Sequence, residues 1–333
     1  MRVAVDAMGG DYAPGEIIKG ALQALELNSD LHIIFVGQEQ EIAKFLPKSS
    51  IENLCSRISV VHAAEIITME DHPATAYRKK KDASITVATR LVKEKKADAV
   101  ISAGSTGGQM VAALFGLGRL EGIERPAIGT VLPTLLGPKI MLDAGANADC
   151  KPENLIQFAK MGKVYAKKIL GIDNPRIALI NIGEEPTKGN DLTIKSYEQL
   201  RMQTGINFIG NIEGRDILAG KADVMVCDGF VGNVVLKVIE GTAGALTTLL
   251  KEAFTKNTRS KMGALLLKPA LRGFKQRLDY SEHGGAPLLG VKGVSIICHG
   301  SSKADAVKNA IRAAAECVNS DFVKELQDSL EPK

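Results

Sequence analysis

The chain has 333 residues, no tryptophan and only 4% aromatic residues. Proteins that grip single-stranded nucleic acid stack bases on such rings, so this scarcity argues against a nucleic-acid partner. The five cysteines, Cys55, Cys150, Cys227, Cys298 and Cys317, are odd in number and never spaced C-x-x-C. Neither a disulfide framework nor a cysteine zinc site is indicated, and a reducing cytoplasm is the expected compartment. No apolar run reaches the ~18 residues of a membrane-spanning helix. The amino terminus reads at once as a strand, so no secretory leader is expected. The dinucleotide fingerprint G-x-G-x-x-G, the Gly-Lys-Ser/Thr ending of a P-loop and the G-x-S-x-G elbow are all missing, which disfavours a nicotinamide cofactor, ATP and a serine hydrolase. His32, His62, His72 and His283 do not pair at metal spacing, so no metal is expected.

Short apolar runs, each ending in a Gly-, Asp- or Asn-rich turn, are what the chain does have. The turns are Asp6-Ala7-Met8-Gly9-Gly10-Asp11, Ser102–Gly108, Asp143–Asn147, Asn181–Glu185, Cys227–Asn233 and His299–Ser302. Ten strands are expected, among them Arg2–Val5, Ala99–Ser102, Ile128–Leu132, Ile140–Asp143, Arg176–Ile182, Asp223–Cys227 and Val294–Cys298. Helical spacing covers Glu16–Leu27, Ser84–Glu94, Thr106–Leu117, Pro152–Ile169 and Leu192–Met202. Alternating strand and helix predicts an α/β fold with a doubly wound, mostly parallel sheet. Ligands of such sheets bind beyond the carboxyl ends of the strands, so the six turns are expected to line one cleft. The chain reads as one enzyme domain over 1–333, with room for two sub-lobes and Glu153–Ile169 as a helix joining them.

The turn chemistry suits phosphate. Ser102–Gly108 offers hydroxyls, glycines and a following helix N-terminus, whose unpaired amide groups and dipole favour an anion. Capping by Ser105 or Thr106 is an equally good reading of the same residues. Lys188, after Gly183 and Glu184, either holds an anion or is a solvated loop lysine. Asn233 either caps the helix that follows it or donates its amide to an oxyanion. His299 beside Ser301 is not by itself a catalytic pair.

Charge is concentrated. Between 246 and 278 there are eight basic residues and one acid, while the rest of the chain holds 34 basic against 37 acidic. The segment reads as an amphipathic helix pair, interrupted at Asn257-Thr258 and kinked at Pro269. Phe254, Met262, Leu265, Leu266 and Leu267 beside Lys261 and Lys268 suit an anionic membrane surface. A dimer-forming or core-packing pair with a charged outer face is the alternative. Arg78-Lys79-Lys80-Lys81 is a solvated basic face or a dock for an acidic partner.

Together these residues resemble the bacterial phosphate:acyl-ACP acyltransferases of phospholipid synthesis, the PlsX family, over essentially the whole chain. The opening Met1–Asp11 is the most specific part. It is joined by Arg78–Lys81, Ile101–Gly107, Leu142–Asn147, Lys188-Gly189-Asn190, Phe208–Glu213, Asp228–Asn233, Tyr280–Ala286 and His299–Ser302. Ser105 stands where the family pattern has asparagine, a polar-for-polar change.

The resemblance implies a fold like that of phosphotransacetylases and the isocitrate/isopropylmalate dehydrogenases, without a cofactor. It implies a homodimer in the cytoplasm, peripherally attached to the inner face of the membrane, with a projecting helix pair there. The implied reaction takes long-chain acyl carrier protein and inorganic phosphate to acyl phosphate, which feeds a membrane glycerol-3-phosphate acyltransferase. Lys188 and Asn233 are the expected catalytic residues. Expected substrate contacts are Asp6, Gly9, Gly10, Asp11, Ser102, Gly104, Ser105, Thr106, Gly107, Asp143, Asn147, Gly183, Glu184, Asn211, Asp228, Gly229, Gly232, His299, Gly300 and Ser301. Arg78–Lys81 are expected to steer the acidic carrier protein. An acyl-CoA phosphotransacetylase and a non-catalytic membrane scaffold are the alternatives.

Overall fold

A computed structural model describes residues 1–46, 55–267 and 284–330. Lys268, Pro269 and the rest of the expected second helix, and Tyr280–His283, lie outside the described residues. Twelve strands are described: β1 Arg2–Asp6, β2 His32–Gly37, β3 Ile58–His62, β4 Ala99–Ser102, β5 Ala127–Ile128, β6 Thr130–Thr134, β7 Gly137–Leu142, β8 Arg176–Ile180, β9 Asn207–Ile212, β10 Val224–Val226, β11 Ala286–Leu289 and β12 Val294–Ile297. They form two sheets rather than the single one expected, in the orders β3-β2-β1-β4-β12-β11-β5 and β6-β7-β10-β8-β9. In the first, β3, β2, β1, β4 and β12 are parallel; in the second, β7, β10, β8 and β9 are. Fully buried sequences such as Ala99-Val-Ile-Ser102 and Val224-Met-Val226 are what strands covered on both faces require.

The expected strand Ile128–Leu132 is divided between the sheets. Ile128 pairs with Leu288 in the first and Thr130 with Met141 in the second. Gly129 lies at the crossing, where an added Cβ would come within 3.0 Å of Ile140 and 3.2 Å of Leu289. The sequence reading missed β11, an antiparallel strand carrying Pro287 between glycine-rich segments.

The helices are α1 Gly15–Leu27, α2 Glu39–Ala43, α3 Pro73–Lys79, α4 Ser84–Lys93, α5 Thr106–Gly116, α6 Pro152–Lys168, α7 Asp191–Met202, α8 Gly214–Ile217, α9 Gly229–Thr255, α10 Ala304–Asn319 and α11 Phe322–Leu330. The long helix α6 connects β7 to β8 inside the second sheet instead of joining two halves, although it also packs on α11. One hydrophobic cluster runs through both sheets, from Val3 and Ile101 to Leu142 and Val226.

Two expectations about α9 change. Its N-cap is Asp228, whose side chain accepts from Val231 N–H, so Asn233 is not the cap. The helix is also 27 residues long, with a window of mean hydropathy 1.2 that is 11% buried, so by length and composition it passes as a membrane span. Lys237 and Glu240 interrupt the continuous run without lowering that mean enough. Its first turns are engaged, with Val231, Val235, Leu236 and Ile239 packed on a second hydrophobic cluster that includes Leu132, Met141 and Met225. Its later turns expose Leu246, Leu249 and Leu250. After Asn257, whose side chain accepts from Ser260 N–H, residues 258–267 are helical and expose Met262, Leu265, Leu266 and Leu267.

Candidate active site

Parallel pairing places the carboxyl ends of β1, β4 and β12 on one edge of the first sheet, and those of β7, β10 and β8 on one edge of the second. In the first edge, Asp6 is buried and accepts from the Ser102 hydroxyl at 2.6 Å and from Met8 N–H at 3.2 Å. Burial raises its carboxyl above the usual range, against the pull of these donors. Ser102 in turn accepts from Gly104 N–H at 3.0 Å. A Cβ on Gly9 would lie 2.6 Å from Asp6 and 2.7 Å from the Gly104 nitrogen, so only glycine brings the two turns this close. Asp6 and Ser102, expected to touch substrate, instead hold the two turns together from within. Asp11 N–H donates to the Gly300 carbonyl at 2.8 Å, which ties in the third turn.

The anion-binding capacity of this edge lies one turn further on. Ser105 caps α5, accepting from Gly108 N–H at 3.2 Å. Thr106 is exposed and Gly107 half-buried, and their backbone N–H groups open the helix without a hydrogen-bond partner among the described residues. Gln109, which the sequence reading did not single out, fixes α5 by donating to Ser295 Oγ at 3.1 Å and to the Ile296 carbonyl at 2.8 Å.

In the second edge, Asp143 is fully buried. Its carboxylate accepts from the N–H groups of Ile128, Gly145, Ala146 and Asn147 and from the Asn147 side chain, at 2.7 to 3.2 Å. Asn147 also donates to the Pro126 carbonyl. Both side chains are occupied in shaping the loop, Asp143 from within it and Asn147 at the wall of a neighbouring cleft. Gly229 N–H donates to the Asn147 carbonyl at 2.7 Å, and a Cβ on Gly232 would overlap the Asp143 carbonyl. Helix α9 therefore starts against this loop. Burial first, then the nearby Asp228 and Asp143 charges, pushes the Cys227 thiol well above its usual range. Cys150 and Cys298 are pushed up to about 12, so none of the three is a thiolate nucleophile near neutral pH.

Lys188 and Asn233 are different. Lys188 is exposed and makes no ion pair among the described residues; its loop is pinned by Asn181 Nδ2 donating to its carbonyl at 2.9 Å. Asn233 is exposed on the first turns of α9, beside Gly145, where a Cβ would lie 3.5 Å from its side chain. Gly183 lies under Lys188, a would-be Cβ reaching its Cγ at 2.8 Å. Glu184 is an exposed partner of Lys221, and Asn211 is buried and donates to the Glu185 carbonyl, bracing the Lys188 loop.

The edges meet through a contact that no sequence spacing announced. Lys237 Nζ, on α9 of the second sheet, lies 3.4 Å from His299 Nε2, after β12 of the first. His299 Nδ1 faces Ser301 Oγ at 2.8 Å. This contact joins helix α9 of the second sheet to the turn after β12 of the first. Of the basic run, Arg78, Lys79 and Lys81 are exposed, whereas Lys80 turns inward to Asp71 at 2.6 Å and to the Ile66 carbonyl at 2.9 Å. The expected four-residue dock is reduced to three outward cations.

The model of the fatty acid synthesis protein family matches residues 1–325. The chain belongs to that family. Among its relatives, the phosphate acyltransferase of Heliobacterium modesticaldum is 58% identical over 333 residues, covering 100% of this chain and 98% of its own. The phosphate acyltransferase of Desulfitobacterium hafniense (strain DSM 10664 / DCB-2) is 57% identical over 331 residues, covering 99% and 98%. Among solved structures, a phosphotransacetylase from Streptococcus pyogenes superposes with a TM-score of 0.64 at 19% identity, covering 96% of this chain and 94% of its own. A branched-chain phosphotransacylase from Enterococcus faecalis does so with a TM-score of 0.58 at 16% identity, covering 96% and 99%. These two share the fold, as the sequence led us to expect.

Proposed function

We propose that the protein is a phosphate acyltransferase that makes acyl phosphate from long-chain acyl carrier protein and inorganic phosphate, at the head of phospholipid synthesis. What supports this reading is the set of free helix N–H groups at the carboxyl edge of one sheet and the unpaired lysine and exposed amide at that of the other, with Lys237 and His299 in contact between the two edges. Phosphate sits at the N-terminus of α5, against Thr106 and Gly107. A phosphate oxygen bonds to the thioester carbonyl carbon, and the carbonyl electrons move onto oxygen. Lys188 and Asn233 donate to that oxyanion. Collapse breaks the carbon–sulfur bond, and the carrier's thiolate takes up the proton that phosphate gives up. Holding both reactants in one gap supplies much of the rate. Asp6, Ser102, Asp143 and Asn147 act indirectly, by fixing the turns.

Arg78, Lys79 and Lys81 steer the acidic carrier protein. The protein is cytoplasmic and a homodimer, and the exposed apolar side chains of α9 and 258–267 rest on the membrane surface, where a glycerol-3-phosphate acyltransferase consumes the product. The test is incubation with palmitoyl carrier protein, with and without phosphate, following free carrier and hydroxylamine-trappable product. Product that requires phosphate supports the reading. Folded protein that turns over acyl-CoA in preference, or neither donor, overturns it.

A further inference from the structure

A cleft of about 480 Å³ lies between α5 and the loop that follows β7, and the chemistry above leaves it unused. Met110, Val111 and Leu114 of α5, Ala146 of the loop and Leu288 of β11 give it apolar walls. Its size falls in the range of small-molecule sites, roughly 300–1,000 Å³. The three α5 side chains are half-buried, and Met110 also packs on the core beneath them.

Its position is what gives it a use. Helix α5 begins at the turn that offers free N–H groups to phosphate, and from Thr106 to Leu114 it rises about 12 Å. Ala146 follows Gly145, which touches Asn233. An acyl donor with its carbonyl carbon near the start of α5 therefore meets, on leaving along that helix, the apolar side chains of Met110, Val111 and Leu114. Arg119, Glu124 and Arg125 also line the cleft, which leaves one net positive charge in its wall, and Arg125 makes no ion pair among the described residues. It adds positive charge on the side from which an acidic carrier would deliver its acyl group. A second, larger cleft of about 690 Å³ between α1 and Phe45 takes no residue of α5 or of the loop after β7 into its wall, so it does not continue from the start of α5.

We propose that the cleft beside α5 holds the hydrocarbon chain of the acyl donor, and that Val111 and Leu114 set how long a chain it accepts. The proposal rests on the phosphate acyltransferase reading and adds the donor's chain-binding site to it. Filling the cleft with Val111→Trp or Leu114→Phe expels methylene groups of a long chain before those of a short one. The measurement is kcat/KM for C16 and C8 acyl carrier proteins with saturating phosphate. The C16-to-C8 ratio is expected to fall at least about ten-fold, the effect of leaving two or more methylenes in water. An unchanged ratio in variants that melt like the parent overturns the proposal.

Met110→Glu, at a half-exposed position, serves where a bulky variant fails to fold. A binding readout that needs no turnover is the fluorescence of cis-parinaric acid on the full chain. Its saturable binding is expected to weaken about ten-fold in Met110→Glu, and equal binding overturns the proposal. Wild-type protein that binds the probe in the cleft but makes no phosphate-dependent product sinks the acyl phosphate reading and leaves the chain site standing.

Discussion

The two ends of the second sheet carry charge in opposite ways. At the amino ends of its strands, Asp223 is buried between Lys139, 2.5 Å away, and Arg176, 2.9 Å away, so these three charges pair with one another. At the carboxyl ends, Lys188 and Asn233 are exposed, and Lys188 has no ion-pair partner among the described residues. The first end is built as structure, where an unmade bond in low dielectric is expensive. The second leaves donors free for something that arrives. Asp143 is the exception that links them, since it is buried at the reactive end and serves the loop, not the ligand.

If that division is right, substitutions at one end change stability and those at the other change turnover. The largest expected effect is Asp223→Asn, which strands the buried Lys139 and should cost about 3–5 kcal/mol in denaturant unfolding. Its pH dependence has a definite sign. Burial alone raises the Asp223 carboxyl, but Arg176 and Lys139 outweigh it and hold the group at about 2. A depressed carboxylate stabilises the fold above its unfolded pKa of roughly 3.9 and loses that contribution as pH falls toward 2. The parent should therefore destabilise between about pH 4 and 2, whereas Asp223→Asn should be flatter there.

Lys188→Ala comes next, with an expected loss of about 10²–10³ in kcat, or 2.7–4 kcal/mol, and a melting temperature close to the parent's. Parental turnover in this variant would remove Lys188 from the mechanism, and a large stability loss would erase the contrast between the two ends. Asp143→Ala leaves several N–H groups without an acceptor and should cost about 1–3 kcal/mol of stability. Its turnover, corrected for the folded fraction, should fall less than that of Lys188→Ala; a larger fall would make Asp143 a direct participant. The smallest stability effect belongs to Leu266→Glu on the exposed segment, within about 0.5 kcal/mol. Sedimentation with anionic vesicles should nonetheless weaken markedly, and undiminished sedimentation would take the membrane role away from this segment.

Much of the fold was legible because central parallel strands are buried on both faces and so read as short apolar runs. Ala99–Ser102 is recovered without a shift at either end. The run Ile128–Leu132 misled because an apolar pattern does not say which sheet covers it; Gly129 marks the crossing only once Ile140 and Leu289 are seen against it. In the site, the glycine-rich turns were legible, but their division of labour was not. Asp6, Ser102, Asp143 and Asn147 look like ligands for phosphate in a list of polar residues. They are inward hydrogen-bond partners once burial is known.

The sequence by itself determined the local elements, the turn chemistry at strand ends and the concentration of basic and apolar residues between 246 and 278, because these follow from spacing and side-chain type within a few residues. Only the tertiary structure decided that there are two sheets, which turns are tied to one another, and that Lys237 meets His299 across 62 positions of chain. Strand pairing is made by backbone groups that are alike in every residue, so the order of strands, and the neighbours it creates, is set by packing over the whole molecule.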